Sequence, residues 1–259
     1  MRPAEIASGT KPPGTSDEVQ ASLWVERMFA RIAPRYDLLN HLLSFNIDRA
    51  WRSTLIESLA PVLEGPEAKI LDLCCGTGDV LLELEQMKRA RIFGADFCHP
   101  MLTAAQHKAE RKGIRARLFE ADALKLPLAD SVFDAIVISF GFRNLANYTA
   151  GLAELQRVIK PGGQLAILEF SQPEGAVMKA AYAGYSRMFL PLVGALISGS
   201  REAYDYLPSS IRKFPSANQL REMMSSAGFV QTEFRLLTGG IAALHLGIKA
   251  SASHVHRAG

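Results

Sequence analysis

The sequence predicts a single α/β domain built on a doubly wound, mostly parallel seven-stranded sheet, with a helical cap before it and a helical insertion before its last helix. Three observations lead there. Short apolar runs alternate with segments of helical period over residues 69–170, which calls for parallel strands joined by crossover helices. A glycine-rich turn, Asp72-Leu-Cys-Cys-Gly76-Thr-Gly78-Asp79, directly follows the first run. A carboxylate, Asp96, closes the second run twenty positions after Gly76.

The elements follow in order. Between Ser16 and Leu59 apolar residues recur at spacings of three and four, with breaks at Pro34 and around Ser44 to Asn46, so residues 21–60 read as a helical cap. A loop marked by Pro and Gly leads to strands at Lys69–Leu73, Arg91–Asp96, Arg117–Glu120 and Phe133–Ser139, the last the most hydrophobic and therefore central. Helices are expected at Asp79–Lys88, Met101–Lys112 and Tyr148–Ile159, the last ended by the turn Lys160-Pro-Gly-Gly163. Gln164–Phe170 is the next strand, and residues 174–208 form the insertion. A helix at Ala217–Ala227 precedes two closing strands, Val230–Leu236 and Ala242–Lys249, whose short connection makes one of them antiparallel.

Length and composition narrow the function classes. A chain of 259 residues suits one domain, 21–249, flanked by tails at 1–20 and 250–259 that are expected to be disordered. The net charge of +3 and the lack of a basic stripe argue against a nucleic-acid partner. Cys74, Cys75 and Cys98 give neither a disulfide framework nor a metal-ligand cluster, so no metal is expected and a reducing, cytoplasmic setting is the default. The longest apolar stretch, Met188 to Gly199, is too short for a membrane span and is broken by Pro191.

The glycine turn reads as a nucleotide site. Gly76 and Gly78 let backbone approach a ligand closely, Asp96 is placed to take both ribose hydroxyls, and Asp122-Ala123 follows the third strand where an adenine edge would lie. A dinucleotide oxidoreductase shares this geometry but carries a third glycine beneath the pyrophosphate, and Leu81 stands at that position. A ligand without a pyrophosphate, S-adenosylmethionine, fits better, with Asp72 suited to its ammonium group.

Four segments then carry a family resemblance: Met28-Phe-Ala-Arg-Ile-Ala-Pro-Arg-Tyr-Asp-Leu-Leu-Asn40 through Asp48-Arg-Ala-Trp-Arg52; Asp72 to Asp79; Ser139-Phe-Gly-Phe-Arg-Asn144 with Leu168-Glu-Phe-Ser171; and Tyr204 to His245. Over residues 25–249 the chain resembles the ubiquinone/menaquinone biosynthesis C-methyltransferases. It departs from them at Asp48, where the family usually has histidine, and at Cys74-Cys75, where small residues are common. The resemblance implies a Rossmann-like class I methyltransferase fold and S-adenosylmethionine contacts at Thr77, Asp96, Asp122, Ala123 and Ser139. The implied reaction is C-methylation of a prenylated quinol, demethylmenaquinol to menaquinol, with the benzoquinol intermediate of ubiquinone synthesis as the alternative ring.

Ring-carbon methylation needs an electron-rich aromatic, and a quinol becomes far more so when a hydroxyl of pKa about 10 loses its proton. Arg143 and Asn144 follow the central strand at its carboxyl end, where open α/β sheets bind ligands. The resemblance implies that Arg143 helps to remove that proton. A guanidinium is no base at neutral pH, so Arg143 is expected to stabilise the phenolate while Asn144 orients a water or hydroxyl. Tyr36 and Asp37 are expected to line the quinol pocket. Residues 177–197, with Tyr182 and Tyr185, suit a groove for the isoprenoid tail or peripheral contact with the inner membrane face, and equally a lid or homodimer contact. Two rival readings keep the cofactor site: an O- or N-methyltransferase of another small aromatic, and a non-catalytic S-adenosylmethionine-binding module.

Overall fold

The computed structural model describes residues 8–65, 67–173 and 201–251. The cap begins with α1 (Glu18–Ile32), whose N-terminus is closed by the Asp17 side chain accepting from the Gln20 amide at 2.8 Å. Pro34 sits in a one-turn 3-10 helix, Ala33–Arg35, where its missing N–H costs nothing. α2 (Tyr36–Leu43) follows, and Phe45 and Asn46 reverse the chain at φ of 50° and 61° into α3 (Ile47–Glu57) and the short α4 (Ala60–Leu63).

The sheet is seven-stranded: β1 (Lys69–Leu73), β2 (Arg91–Asp96), β3 (Leu118–Glu120), β4 (Phe133–Ser139), β5 (Ile159–Phe170), β6 (Phe229–Leu237) and β7 (Ala242–Lys249). Its order is β3-β2-β1-β4-β5-β7-β6. β1 to β5 run parallel, and β7 lies antiparallel to both β5 and β6, as the short connection requires. α5 (Asp79–Met87), α6 (His99–Arg111) and α7 (Tyr148–Val158) are the crossovers, and α8 (Arg201–Lys213) and α9 (Ala217–Ser226) precede the closing hairpin.

Period-two alternation divides the core between the faces. Leu71, Leu73, Ile136, Ile138, Leu165 and Ile167 meet α7 and α9 on one side. Ile70, Ala135, Val137, Ala166 and Leu168 meet α3 and α5 on the other. The strand order reverses between β2-β1 and β4, so the carboxyl ends of β1 and β4 open side by side at the switch point.

Two expectations need correction. Lys160-Pro-Gly-Gly163 does not separate α7 from the next strand. Ile159 already pairs with Phe133 and Gln164 pairs with Ala135, so the four residues between them form a bulge inside β5. Gly162 supplies its left-handed turn at φ 80°, and a side chain at Gly163 would strike the Asp134 carbonyl at 2.8 Å. The turn chemistry was legible, and the strand simply starts before it.

The second correction is the amino-terminal tail, which is ordered from Ser8 onward. The Tyr148 amide donates to the Ser8 carbonyl and the Thr10 amide to the Leu145 carbonyl, each at 2.8 Å, and Thr10 is buried. This polar stretch finds partners among carbonyls and amides of a loop that no strand uses. Residues 174–200 of the expected insertion, with Tyr182 and Tyr185, lie outside the described residues, as do 252–259.

A Cβ at Gly9 would come within 1.8 Å of the Ala146 carbonyl oxygen, which is backbone and cannot yield. Gly9→Ala is therefore expected to lift residues 8–10 off the site loop and cost about 1–3 kcal/mol, the worth of two backbone hydrogen bonds. Thermal unfolding and faster amide exchange at Tyr148 and Thr10 check it; unchanged protection at both would refute the packing.

Candidate active site

Two cavities open at the switch point. The first, of about 640 Å³, runs along the β1 turn and the ends of β2 and β4. The turn into α5 places three residues at positive φ: Cys74 at 56°, Gly76 at 55° and Gly78 at 82°. Gly76 and Gly78 adopt this freely, while Cys74 is held there under strain. Leu81, the residue that argued against a pyrophosphate site, fills the hollow at Gly94 on β2, where an added Cβ would meet it at 2.3 Å.

Asp96 lines this cavity and accepts from the Gly76 and Cys98 amides, each at 2.9 Å. A carboxylate has about four acceptor sites, so two remain for a diol. Burial pushes its acid up to about 6, against the pull of those amides. Phe97, Met101 and Leu124 give the cavity an apolar stretch with Asp122 and Ala123 beside it. The Ser139 hydroxyl, at the end of β4, is buried with no hydrogen-bond partner. Ser139 lines neither cavity, and the fit to S-adenosylmethionine rests on spare acceptors for a ribose and an apolar slot for a purine. Asp96, Asp122, Ala123 and Gly76 would hold it.

The second cavity, of about 840 Å³, is mainly apolar and lies between the cap and the strand ends. Met28, Phe29, Ile32, Phe140, Phe170 and Leu207 form its walls, and Arg143, Tyr206, Asn40, Ser44, Asp48 and Arg52 its polar spots. Tyr36, Phe29 and Phe140 line both cavities, so a donor in one and an acceptor in the other would meet there.

Arg143 is buried, with its Nη1 donating to Glu169 and to the Phe140 carbonyl at 2.5 Å and its guanidinium carbon 5.3 Å from the centre of the Phe170 ring. Its Nε–H is buried without a partner. Burial works against its charge, but Glu169 together with Tyr36 and Tyr206 outweighs that and keeps the guanidinium protonated, so it is no base. Asn144 lines the first cavity rather than the second, and its Oδ1 accepts from the Tyr206 hydroxyl at 3.0 Å. Thr10 completes that chain at 2.8 Å from the same hydroxyl.

Three expected positions face elsewhere. Asp72 is buried and turned under α5, where it accepts from the Leu81 amide at 2.9 Å; burial raises its acid to about 8. It braces the turn and lines neither cavity. The Thr77 hydroxyl bonds to Asp37, and Lys108 reaches Thr77 at 3.2 Å and Asp37 at 2.7 Å. Asp37 and Thr77 thus clamp α2 to the glycine turn, outside both cavities. Buried His245, which the resemblance put in a matching segment, faces α9, bonds to the Ala217 carbonyl at 2.9 Å, and is held neutral with its pKa down at about 4 by burial.

Glu169, Tyr206, Asp48 and Arg52 were not singled out from sequence as site residues. A signal for Glu169 existed, since it is the one charge in the apolar run Gln164–Phe170. Tyr206 lies on α8, whose strong amphipathic period marks it for burial but does not mark it for a site. Among the described residues no group of His, Cys, Asp and Glu is placed to hold a metal ion.

The ubiE/COQ5 methyltransferase family model matches residues 16–249. A demethylmenaquinone methyltransferase of Thermus thermophilus is 49% identical over 221 residues, covering 85% of this chain and 99% of that protein. One from Deinococcus radiodurans is 44% identical, with 94% and 100% covered. The ubiquinone/menaquinone biosynthesis C-methyltransferase UbiE of Syntrophotalea carbinolica is 45% identical, with 86% and 93% covered. Among solved structures, the [4+2]-cyclase SpnF superposes with a TM-score of 0.67 at 16% identity, over 95% of this chain and 100% of that one. A Haemonchus contortus phosphoethanolamine N-methyltransferase in complex with S-adenosylmethionine gives 0.62 at 12%, over 93% and 62%. At such identities these two show the fold alone.

Because Asp96 must be ionised to accept from two hydroxyls at once, affinity for S-adenosylmethionine is expected to fall as the pH drops through about 6. Calorimetric titration between pH 5 and 8 checks this. Asp96→Asn should bind weakly and lose that pH dependence; a variant that keeps the wild-type slope would assign it to another group.

Proposed function

The chain belongs to the ubiE/COQ5 methyltransferase family, and on that premise we infer that this site methylates a ring carbon of a prenylated quinol, converting demethylmenaquinol to menaquinol. It is an S-adenosylmethionine-dependent methyltransferase with a Rossmann-like class I fold. When bound, S-adenosylmethionine supplies an electrophilic methyl group.

The observation that carries the quinol reading is the pairing of a mainly apolar cavity with buried guanidinium groups, Arg52 of α3 and, just beyond the end of β4, Arg143. Aromatic walls accept a fused ring. Arg143, a residue of the cavity lining, supplies a positive charge that can stabilise negative charge developing on a ring oxygen. Its partner Glu169, fully buried, fixes the guanidinium through Nη1 and the backbone amide at 3.0 Å. Asn144 and Tyr206 belong to the same wall and position it between the two cavities.

Peripheral contact with the inner, cytoplasmic face of the membrane belongs to the proposal. Exposed Leu38, Phe45 and Ile47 at the α2–α3 corner neighbour Asn40, Ser44 and Asp48 of the second cavity, giving its rim an apolar edge for an isoprenoid tail. Among the described residues no helix is long and apolar enough to cross a membrane.

Transfer of labelled methyl to short-tailed demethylmenaquinol and to the benzoquinol counterpart, each reduced and oxidised, tests the reading. Product is expected from reduced rings only, with the naphthoquinol preferred. Methylation of the oxidised quinone, or cofactor binding with no product from either quinol, would count against it.

Arg143→Lys should retain part of the turnover, since a compact cation still meets the phenolate while the fork to Glu169 is lost. Arg143→Ala strands a buried carboxylate and is expected to lose about 3–5 kcal/mol of stability as well as activity. Denaturation and steady-state kinetics on both variants check this; full turnover by the alanine variant would remove Arg143 from the chemistry.

A further inference from the structure

We propose that Asp48 is the group that takes the proton from the quinol hydroxyl. The proposal rests on the quinol reading above and adds a residue to it.

The cavity leaves few candidates. Arg143 is held protonated by Glu169. Burial raises the phenols of Tyr36 and Tyr206, so both keep their protons near neutrality. Asn40 and Asn144 have no basic atom. Glu169 is committed to the Arg143 amide, the Arg143 Nη1 and the Phe170 amide, and it does not line the second cavity. Among the described residues Asp48 is the one carboxylate that does.

Its setting suits the task. Asp48 stands in the first turn of α3 and is 3% exposed, so water does not compete for it. Ser44 Oγ donates to one carboxylate oxygen at 2.5 Å and Arg52 to the other, which fixes the group in the wall. Arg52 also meets Asp79 of α5 at 3.1 Å, so it retains a partner when Asp48 becomes neutral. Arg143 lines the same cavity, and Tyr36 lies within electrostatic range of both Arg143 and Arg52. A ring in this cavity meets Arg143, which can stabilise its oxygen, and one carboxylate to receive its proton.

The balance closes. The quinol O–H bond breaks and an O–H bond forms on Asp48 as the oxygen's electron pair moves into the ring. The ring carbon would gain the methyl as the donor's methyl–sulfur bond breaks, the bonding pair staying on sulfur to leave a neutral thioether. It then sheds its own hydrogen as a proton to water. Asp48 then returns its proton to the ring oxygen, so one proton is released for each methyl transferred.

Asp48→Asn keeps the shape and removes the base. Its kcat on demethylmenaquinol is expected to fall about 100-fold or more, with KM for the quinol and Kd for S-adenosylmethionine changing by less than about fivefold. The acid limb of the kcat profile should vanish. Asp48→His restores a proton acceptor and should recover much of the activity, with the acid limb moved to higher pH because imidazole titrates above a carboxylate. A quinol made more acidic by a ring halogen needs the base less, so the ratio of wild-type to Asp48→Asn rates should shrink with it.

A kcat within threefold of wild type, an unmoved acid limb in Asp48→His, or an equal deficit on both quinols would each overturn the assignment. Should Asp48→Asn not fold, the acid limb of Asp48→His alone decides. Absence of product with the unaltered protein would instead defeat the quinol reading.

Discussion

The constraint on which the two cavities depend is a chain of alternating charges, Asp48–Arg52–Asp79–Lys108–Asp37, that ties the helical cap to the first strand–helix turn of the sheet. Arg52 and Asp48 belong to α3, Asp79 opens α5, Lys108 lies in α6, and Asp37 belongs to α2. The Arg52 and Asp48 side chains are 8% and 4% exposed, whereas Asp79 and Asp37 are 28% and 35% exposed. Exposed pairs of this kind are worth about 0–1 kcal/mol, and buried ones often do no better than apolar packing would. Their contribution is therefore to register. An apolar cap could slide over the sheet, but five charges that must be neutralised permit few placements. The cap is fixed where Tyr36 and Phe29 wall off both cavities.

That placement settles how the cofactor and the acceptor ring approach each other. Open α/β sheets bind ligands at the switch point because the chain diverges there and leaves a crevice. Here β1 supplies the glycine turn and β4, its parallel neighbour, supplies Ser139 and then Phe140 to Asn144. Phe140 takes a positive φ of 58°, which turns the chain so that its ring serves both cavities while Arg143 points back to Glu169. The cofactor site and the site that stabilises charge on the ring are thus consecutive strand ends. The distance between them is set by sheet spacing, about 4.8 Å, and not by any loop.

Most of the fold was legible in the sequence because it depends on short-range periodicity. β1, β2, β4 and β7 fall at their expected bounds, since an apolar run bounded by turn residues has few other solutions. The β5 bulge and the ordered Ser8–Thr10 segment were not legible, because each depends on a partner far away in the chain. The site divides in the same way. Asp96, Gly76 and Arg143, each at a fixed offset from a strand end, line the two cavities as expected. Asp37, Thr77 and Asp72 were assigned to ligands because a sequence shows which groups are near a site and not which way they turn. All three serve packing: two clamp the cap and one braces α5. Tyr206 meets the site only through space, whereas Glu169 is marked locally as the one charge in an apolar run.

The arrangement of buried charge follows one rule that links the fold to the chemistry. A lone ion in this interior would cost several kcal/mol, so the charges lining the second cavity are paired before any ligand arrives: Arg143 with Glu169, Arg52 with Asp48 and Asp79. A neutral quinol can enter without meeting an unpaired charge. When its hydroxyl ionises, the new negative charge lies beside a guanidinium whose countercharge is already fixed on its far side, and the proton goes to a carboxylate whose arginine still has a second partner. No ion is stranded at any stage. Replacing either pair with apolar residues of equal volume would leave the fold much as stable, and would remove the means of carrying charge across the cavity.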